Sequence, residues 1–352
     1  MRLLNLSLDE IEQLVISLDE PKYRAKQLYS GLQAGKEIEE INISKELKQK
    51  LALNGHTVGG VTIHQKLISK IDGTIKYLYQ LEDGNIIEGV LMHYKHGSTL
   101  CVSTQVGCRM HCAFCASTIG GLVRHLESGE ILGQVIAANR DNYKENSRGV
   151  TNIVLMGSGE PLDNYDNVLK FLKLVSCENG LNISMRNISL STCGLVDKIY
   201  QLAKEKLGIT LSLSLHAPTD EKRKEIMPVS KAYNLKETID AMHYYVKNTG
   251  RRVVFEYALI DQFNDTKECA VKLKQLVKGM QCHINLIPLN SVDESGLKGS
   301  KTDRVNAFKK MLEDQGLSVT IRREMGADIS GACGQLRRSY LKKEDADWNT
   351  SV

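Results

Sequence analysis

The chain lacks any long apolar run. No stretch of its 352 residues approaches the roughly 20 consecutive apolar residues that a membrane-spanning helix needs. The N-terminal segment MRLLNLSLDEIEQLV carries Asp9, Glu10 and Glu12 where a secretion signal would have its apolar centre. We therefore predict no export, a cytoplasmic location and no membrane partner.

Internal repeats, low-complexity tracts and a strong charge of one sign are also missing. With 42% hydrophobic and 25% charged residues, the composition is that of a globular chain and excludes a disordered one. The net charge of +4 is mild, but the basic residues are clustered, which is compatible with an RNA partner; a solvated surface is the alternative for each cluster. The clusters are Lys22, Arg24 and Lys26; Lys45, Lys48 and Lys50; Arg322 and Arg323; Arg337 and Arg338; Lys342 and Lys343.

The first quarter of the chain changes from a helical to an extended pattern. Residues 5–55 place apolar side chains at helical spacing and predict short helices. Residues 57–95 alternate with period two, and an Asp-Gly turn separates two runs, which predicts antiparallel strands. The side chains predicted to share one strand face are Ile75, Tyr77, Tyr79 and Leu81.

Beyond residue 98, short apolar runs alternate with helical stretches, which predicts a parallel sheet with right-handed crossovers. Six such units are fewer than the eight of a closed barrel, so we predict an α/β fold with a partial (β/α)6 barrel. The runs are 99–104, 152–157, 187–192, 209–216, 253–260 and 283–288, with helices around 128–146, 163–176, 236–249 and 266–279. The predicted parts are a helical domain (1–55), a β extension (56–97), the barrel (98–318) and a last strand with a tail (319–352).

Three of the nine cysteines, Cys108, Cys112 and Cys115, form a C-x3-C-x2-C loop directly after the first barrel run. In a chain without an export signal, cysteines are expected as metal ligands, catalytic groups or thiols rather than as a disulfide framework. Three thiolates can ligate three irons of a [4Fe-4S] cluster and leave the fourth iron open to an amine and a carboxylate. S-adenosylmethionine (SAM) offers both groups, so the spacing favours a radical SAM cluster.

Other uses of this loop remain open at the level of the sequence. A structural zinc ion needs four ligands, and only His111 inside the loop offers a fourth, in an awkward position beside Cys112. An electron-transfer ferredoxin would need a fourth cysteine at suitable spacing, and none follows nearby. Buried, inert thiols are the third alternative.

Polar residues recur where the later barrel runs end. The carboxyl ends of parallel strands meet at one mouth, where ligands of α/β barrels bind. Each residue taken alone is compatible with a structural role, but together they predict a ligand site at the mouth. They are Gly159 and Glu160, Ser191 and Thr192, Ser214 and His216, and Asn290.

The chain resembles the RlmN/Cfr family of radical SAM RNA methyltransferases over nearly its whole length. The segments that carry this resemblance are the cysteine triplet, GSGEPLDNYDNV, EPKYRAKQLY, LCVSTQVGC and DISGACGQL. The resemblance implies methylation of an adenine ring carbon in 23S rRNA at the peptidyl-transferase loop. In the branch that acts at C2, it also implies methylation of the adenosine 3′ of the anticodon in tRNA. Pro161 favours the C2 branch, because the C8 branch tends to carry alanine there.

The resemblance also implies roles for individual residues, with two SAM molecules used per turnover. One SAM methylates Cys333, and a second, bound to the [4Fe-4S] cluster, gives a 5′-deoxyadenosyl radical that takes a hydrogen atom from that methyl group. Glu88 is the implied base, and Cys101 is the implied thiol that releases the product by forming a disulfide with Cys333. Taken alone, both cysteines are typical of small buried residues, and Glu88 of a solvated strand residue.

The resemblance further implies a set of SAM contacts. Ser158 departs from the family pattern, which commonly has methionine between the two glycines of that loop, so the fine shape of the amine pocket is open. The implied contacts are Gly159, Glu160, Ser191, Ser214, Leu215, His216 and Asn290.

The resemblance implies 23S rRNA, tRNA and an electron donor such as flavodoxin or ferredoxin as partners, and we expect a monomer. Two alternatives stay open: a C8 methyltransferase with the same chemistry, and a non-catalytic iron–sulfur or zinc protein that binds RNA.

Overall fold

The computed structural model describes residues 1–95, 97–142, 149–289 and 296–329. Two predicted site residues, Asn290 and Cys333, lie outside these ranges. Among the helices of the described ranges, none combines the length and the apolar character needed to cross a membrane.

The first part of the chain folds into three helices, α1 (Leu8–Ser17), α2 (Tyr23–Gln33) and α3 (Lys45–Leu53). Helix α1 begins with a capping box, in which the Ser7 hydroxyl accepts from Glu10 N and the Glu10 carboxylate accepts from Ser7 N. The apolar positions that predicted these helices form their buried face, including Ala25, Leu28 and Leu32.

A single sheet of ten strands then runs through the rest of the structure. Its first four strands, β1 (Thr62–Ile68), β2 (Ile75–Gln80), β3 (Ile86–Tyr94) and β4 (Gly97–Cys101), pair antiparallel in chain order. The predicted β extension therefore continues the barrel sheet. A separate hairpin, β5 (Gln105–Gly107) and β6 (Leu122–His125), lies between β4 and the next strand of the large sheet.

The remaining strands of the sheet add in parallel beyond β4 and confirm the predicted α/β partial barrel. The sheet stays open, because its two outer strands, β1 and β12, do not pair with each other. Seven helices connect or follow these strands. In chain order the elements are α4 (Ser128–Asp141), β7 (Val150–Leu155), α5 (Tyr165–Val175), β8 (Ile188–Thr192), α6 (Val196–Lys204), β9 (Thr210–Ser214), α7 (Asp220–Ile226), α8 (Leu235–Thr249), β10 (Val253–Leu259), α9 (Lys267–Leu276), β11 (Cys282–Pro288), α10 (Thr302–Glu313) and β12 (Val319–Ile321).

The observed elements depart from the predicted ones in two informative ways. Strand β4 ends at Cys101, three residues before the predicted run ends; Val102 N still donates to Val154 O of β7 (3.0 Å), but the next residue, Ser103, bonds with α4 instead. On β2, the face opposite Tyr77 and Tyr79 is buried as well, since Lys76 and Leu78 have no exposed surface. The division of the chain at 55, 97 and 318 stays a prediction.

Ser103 joins three parts of the structure just beyond β4. Its backbone N–H and carbonyl both bond to the buried Gln134 side chain of α4, each at 2.9 Å. Its hydroxyl donates to the carbonyl oxygen of Glu88 on β3 (2.7 Å) and accepts from Ser158 N (2.9 Å). Helix α4, strand β3 and the loop after β7 are thereby fixed relative to each other.

Replacing Gln134 with alanine should lower the free energy of unfolding by about 2 to 4 kcal/mol, because two buried backbone groups of Ser103 lose their partners. Urea unfolding of both proteins measures this difference. The control is Gln65→Ala on β1, where the side chain is exposed and the expected change is within about 0.5 kcal/mol. Equal effects of the two substitutions would contradict this account of Gln134.

Candidate active site

A cavity of about 340 Å³ opens at the carboxyl ends of the parallel strands. This volume is within the range of small-molecule sites, about 300 to 1,000 Å³. The cavity brings together most of the residues that the sequence predicted as a site, although Cys101 and His216 are 115 positions apart in the chain. The predicted residues that line it are Cys101, Cys108, Cys112, Cys115, Gly159, Glu160, Ser191, Thr192, Ser214 and His216.

The cysteine loop is fixed at both ends by backbone hydrogen bonds. Cys108 N donates to Gly121 O across the β5–β6 hairpin (3.0 Å), and Ala113 N donates to Ile226 O at the end of α7 (2.9 Å). Burial raises the pKa of Cys108 to about 12 and also raises the pKa of Cys112 and Cys115. The three thiols therefore need nearby positive charge, such as that of metal ions, to become thiolates.

This loop suits an iron–sulfur cluster better than a zinc ion. Within the described ranges, no three His, Cys, Asp or Glu side chains are grouped as ligands of a single metal ion. A [4Fe-4S] cluster binds each cysteine to a different iron, so the three sulfurs need not converge on one point. His111, the alternative fourth zinc ligand, is exposed and has a left-handed φ of 53°.

The loop after β7 passes so close to β5 that it needs glycine. Gly159 has a φ of 106°, and a Cβ there would lie 2.6 Å from Gln105 Cβ and 2.8 Å from its backbone nitrogen. The next residue, Glu160, is buried, and its two carboxylate oxygens accept from Leu162 N (3.0 Å) and Cys193 N (2.8 Å). Burial raises the pKa of Glu160.

Strands β8, β9 and β10 place three polar side chains side by side. The Ser191 hydroxyl donates to Glu256 Oε2 (2.8 Å) and lies 3.3 Å from the Ser214 hydroxyl. The other carboxylate oxygen, Glu256 Oε1, is buried without a hydrogen-bond partner among the described residues. A buried acceptor of this kind, facing a ligand cavity, fits the hydroxyl or amine groups of a bound molecule.

His216 is held in one protonation state and one orientation. Its Nδ1 accepts from Ala258 N (3.0 Å), so the ring proton of the neutral form is on Nε2. Its backbone, at a left-handed φ of 57°, is held by Asn264, whose amide donates to His216 O (2.7 Å). Burial and the charge of Arg223 lower the pKa of His216 to about 3. Leu215, the preceding residue, is fully buried and does not line the cavity.

Cys101 and Glu88 lie on neighbouring strands, and Cys101 lines the cavity whereas Glu88 does not. Cys101 is buried and pairs in register with Val90 of β3. Glu88 is also buried, and one oxygen of its carboxylate lies 3.5 Å from Nζ of the fully buried Lys76 on β2. Glu88 is therefore not the solvated strand residue that a period-two pattern suggests when taken alone.

The segment after β12 crosses to the opposite edge of the sheet, where it meets the turn between β1 and β2. Gly326 N donates to Asp72 (2.9 Å), and the Asp328 carboxylate accepts from the Ser69 hydroxyl (2.6 Å) and Lys70 N (2.8 Å). Residues 322–325 of the same segment line the cavity. The predicted tail cysteine, Cys333, follows four residues beyond the last described position and is not placed.

Three buried charged residues in or next to the site were missed by the sequence analysis. Glu256 stands in the otherwise apolar run VVFEYALI, and that interruption was a usable signal. Lys76 had no signal, because an alternating strand pattern places it on the solvent face. Arg223 lies in the strongly charged stretch DEKRKE and looks like a surface residue there.

The open α/β barrel with a three-cysteine loop after its first parallel strand is the architecture of a radical SAM enzyme. Residues 102–272 match the family model described as the Radical SAM superfamily. The chain is 52% identical over 343 residues to a probable dual-specificity RNA methyltransferase RlmN of Thermoanaerobacter sp. (strain X514), covering 96% of this chain and 98% of that protein. It is 50% identical to the protein of the same description from Clostridium tetani, covering 99% of each.

Among solved structures, a radical SAM methyltransferase from Sphaerobacter thermophilus superimposes with a TM-score of 0.90 at 40% sequence identity. The match covers 95% of this chain and 98% of that structure. The chain belongs to the RlmN family of radical SAM RNA methyltransferases. A [4Fe-4S] cluster and SAM are the cofactors of this class, and the thiol set, the glycine-dependent loop and the unpartnered Glu256 oxygen fit them.

We predict that the His216 imidazole stays neutral from about pH 8 to about pH 5, because its pKa is lowered to about 3. The Cε1–H resonance of ¹³C-labelled histidine, assigned with His216→Gln, measures this. The unfolded chain takes up that proton near pH 6.5, so this residue makes the unfolding free energy fall below pH 6.5, by at most about 1.4 kcal/mol per pH unit. A midpoint near pH 6.5 in the folded protein would refute the prediction.

Proposed function

We propose that this enzyme methylates C2 of an adenine in the peptidyl-transferase loop of 23S rRNA and C2 of the adenosine 3′ of the anticodon in tRNA. One observation carries the proposal: the cysteine loop, Cys101 and the polar strand ends line a single cavity. The name of the two relatives, probable dual-specificity RNA methyltransferase, supports two kinds of RNA substrate.

Within this proposal, the predicted site residues divide into those that hold the cofactors and those that act on the RNA. Cys108, Cys112 and Cys115 would hold the [4Fe-4S] cluster. When bound, the cofactors would supply one-electron chemistry that removes a hydrogen atom from a methyl group. Polar methyl transfer is not an alternative, because the C2 carbon is electron-poor and does not act as a nucleophile. The residues that would contact SAM are Gly159, Glu160, Ser191, Ser214, Leu215, His216 and Asn290. Glu256 joins them because it lines the cavity and its Oε1 has no hydrogen-bond partner among the described residues.

Two cysteines would carry the methyl group and release it. Cys333 would carry the methyl group on its sulfur. After that methyl group loses one hydrogen atom to the bound cofactor, its carbon would bond to C2 of the adenine, and the adduct would then lose one electron to the bound cofactor and the C2 proton to Glu88. The Cys101 sulfur then attacks the Cys333 sulfur and breaks its bond to that carbon. The electron pair of the broken bond goes to the carbon, which takes up a proton and becomes the product methyl group, while the two sulfurs leave as a disulfide. An external dithiol must reduce this disulfide before the next turnover.

Glu88 would remove the C2 proton, and Lys76 would orient it. The Glu88 carboxylate lies 3.5 Å from Nζ of the buried Lys76, and this contact would fix the direction of the carboxylate. Val90, two residues along β3 from Glu88, pairs with Cys101, so the base and the resolving thiol lie on adjacent strands.

Anaerobic turnover of the reconstituted enzyme with SAM, a reductant and an unmodified 23S rRNA fragment tests the proposal, with nucleoside mass spectrometry as the readout. We expect 2-methyladenosine, and a tRNA substrate should give the same nucleoside. 8-Methyladenosine would instead assign the chain to the C8 activity. An intact cluster with neither product would overturn the proposed substrate.

Cys101→Ala should accumulate a covalent protein–RNA adduct, because the thiol that breaks the sulfur–carbon bond is missing. Cys333→Ala should cleave SAM but give neither adduct nor methylated RNA. Denaturing gels with labelled RNA measure the adduct. Cys282→Ala is the matched control, since that half-buried cysteine does not line the cavity and should leave turnover unchanged. Normal methylation by Cys333→Ala, or no adduct with Cys101→Ala, would exclude the two-cysteine route.

A surface for RNA and an electron donor completes the proposal. The basic clusters of the first helices are candidates for phosphate contacts, as Lys22, Arg24, Lys26 and Lys48 are not buried. A flavodoxin or ferredoxin would supply electrons, and the enzyme would act as a monomer.

A further inference from the structure

Arg223 is the largest side chain that the described structure buries completely. It lies in the middle of α7, and its guanidinium reaches under the ends of β8 and β9. Its donors bond to the carbonyl oxygens of Leu215 (3.1 Å), Cys193 (2.6 Å) and Ser214 (3.1 Å) and to the Ser230 hydroxyl (2.8 Å). All four acceptors are neutral.

No carboxylate within the described ranges forms an ion pair with this guanidinium. Two carboxylates of the surrounding structure are engaged elsewhere: Asp220, on the same helix, accepts from Leu235 N (2.8 Å), and Glu160 accepts from Leu162 N and Cys193 N. Burying a charge without an opposite charge costs several kcal/mol, roughly, even when its hydrogen bonds are satisfied. Arg223 is therefore a buried cation without an ion-paired carboxylate among the described residues.

The cysteine loop packs near this guanidinium, and negative charge is expected there when a cluster is bound. Cys112 packs in one apolar cluster with Cys193, Ile226 and Met227. Cys193 O accepts from Arg223, and Ile226, one turn along the same helix, accepts from Ala113 N beside Cys112. Burial raises the pKa of Cys112, and the charge of Arg223 opposes that rise. Three thiolates around an iron–sulfur cluster make the site net negative in both of its redox states.

We propose that Arg223 supplies the fixed positive charge for the cluster site formed by Cys108, Cys112 and Cys115, and that it raises the reduction potential of the cluster. Adding an electron increases the negative charge of the site, and a buried cation stabilises that increase because the surrounding dielectric constant is low. The inference rests on the proposed cysteine ligands but not on the RNA substrate.

A purely structural role for Arg223 makes different predictions, because the guanidinium also fixes the backbone beside Ser214 and His216. Arg223→Lys keeps the charge and loses the forked hydrogen bonds, whereas Arg223→Gln loses the charge and keeps some hydrogen bonding. Lys224→Gln is the matched control, since it removes the same charge from the next, exposed position of α7. The full-length proteins, reconstituted anaerobically, are compared at equal iron content.

The measurement is a redox titration of each protein without SAM, followed by electron paramagnetic resonance of the reduced cluster. Arg223→Gln should lower the ratio of reduced to oxidised cluster about tenfold at a given potential, which corresponds to about 59 mV for a one-electron couple. Arg223→Lys and Lys224→Gln should stay within about twofold of the unsubstituted protein.

The outcomes separate the inference from the assignment on which it rests. If Arg223→Lys and Arg223→Gln shift the ratio of reduced to oxidised cluster equally, or if neither shifts it, the fixed-charge role is overturned.

SAM affinity, measured by equilibrium dialysis, reports the backbone effect separately and should fall in both variants. If the unsubstituted protein binds no cluster, or binds one that survives replacement of Cys108, Cys112 and Cys115 by alanine, the proposed ligands fail first. If Arg223→Gln does not fold, Arg223→Lys is compared with Lys224→Gln instead. A difference of more than about twofold in their ratios of reduced to oxidised cluster contradicts the proposal.

Discussion

The Ser103 hydroxyl is the contact on which the arrangement of the site depends. It donates to the carbonyl oxygen of Glu88 and accepts from Ser158 N, so it bonds at once to the strand of the proposed base and to the glycine-dependent loop. Its backbone is held in turn by Gln134 of α4. A small hydroxyl is required there, since a Cβ at Gly157 would already lie 2.7 Å from the Ser103 oxygen. The close approach of strand and loop brings the two halves of the cavity together.

The buried ionisable side chains of the site have different kinds of partner. Lys76 and Glu88 form a buried ion pair, whereas Glu160 is surrounded by backbone N–H groups and Arg223 by backbone carbonyl groups. Peptide dipoles cost little to hold in place, because the fold has already fixed them, and they do not neutralise the ion that they bind. The charge of Arg223 is therefore not cancelled by its hydrogen-bond partners. A cavity of this kind acts on the charge of whatever binds in it.

The barrel and most of the site could be predicted from the sequence because their signals are local. Apolar runs followed by helices indicate parallel strands, and the spacing of Cys108, Cys112 and Cys115 indicates that they bind one iron–sulfur cluster. The resemblance to a family supplied the roles of Cys101 and Glu88, which no pattern in the chain implies. Lys76 and Arg223 could not be predicted, because their burial depends on elements distant in the sequence. In the sequence, both look like surface residues. Only in the fold does Lys76 lie beside Glu88 of the neighbouring strand, and Arg223 beside the ends of β8 and β9.

The hydrogen bonds that tie Asp328 and Gly326 to the turn at Ser69 and Asp72 connect residues more than 250 positions apart. They also join the two outer edges of an open sheet, across the mouth that holds the cavity. No earlier portion of the chain can form this connection in its place. During synthesis, the barrel strands can assemble as they emerge, but the wall formed by residues 322–325 has to wait until the segment beyond β12 has been made. The reactive cavity is therefore completed only after all of the strands of the large sheet have been synthesised.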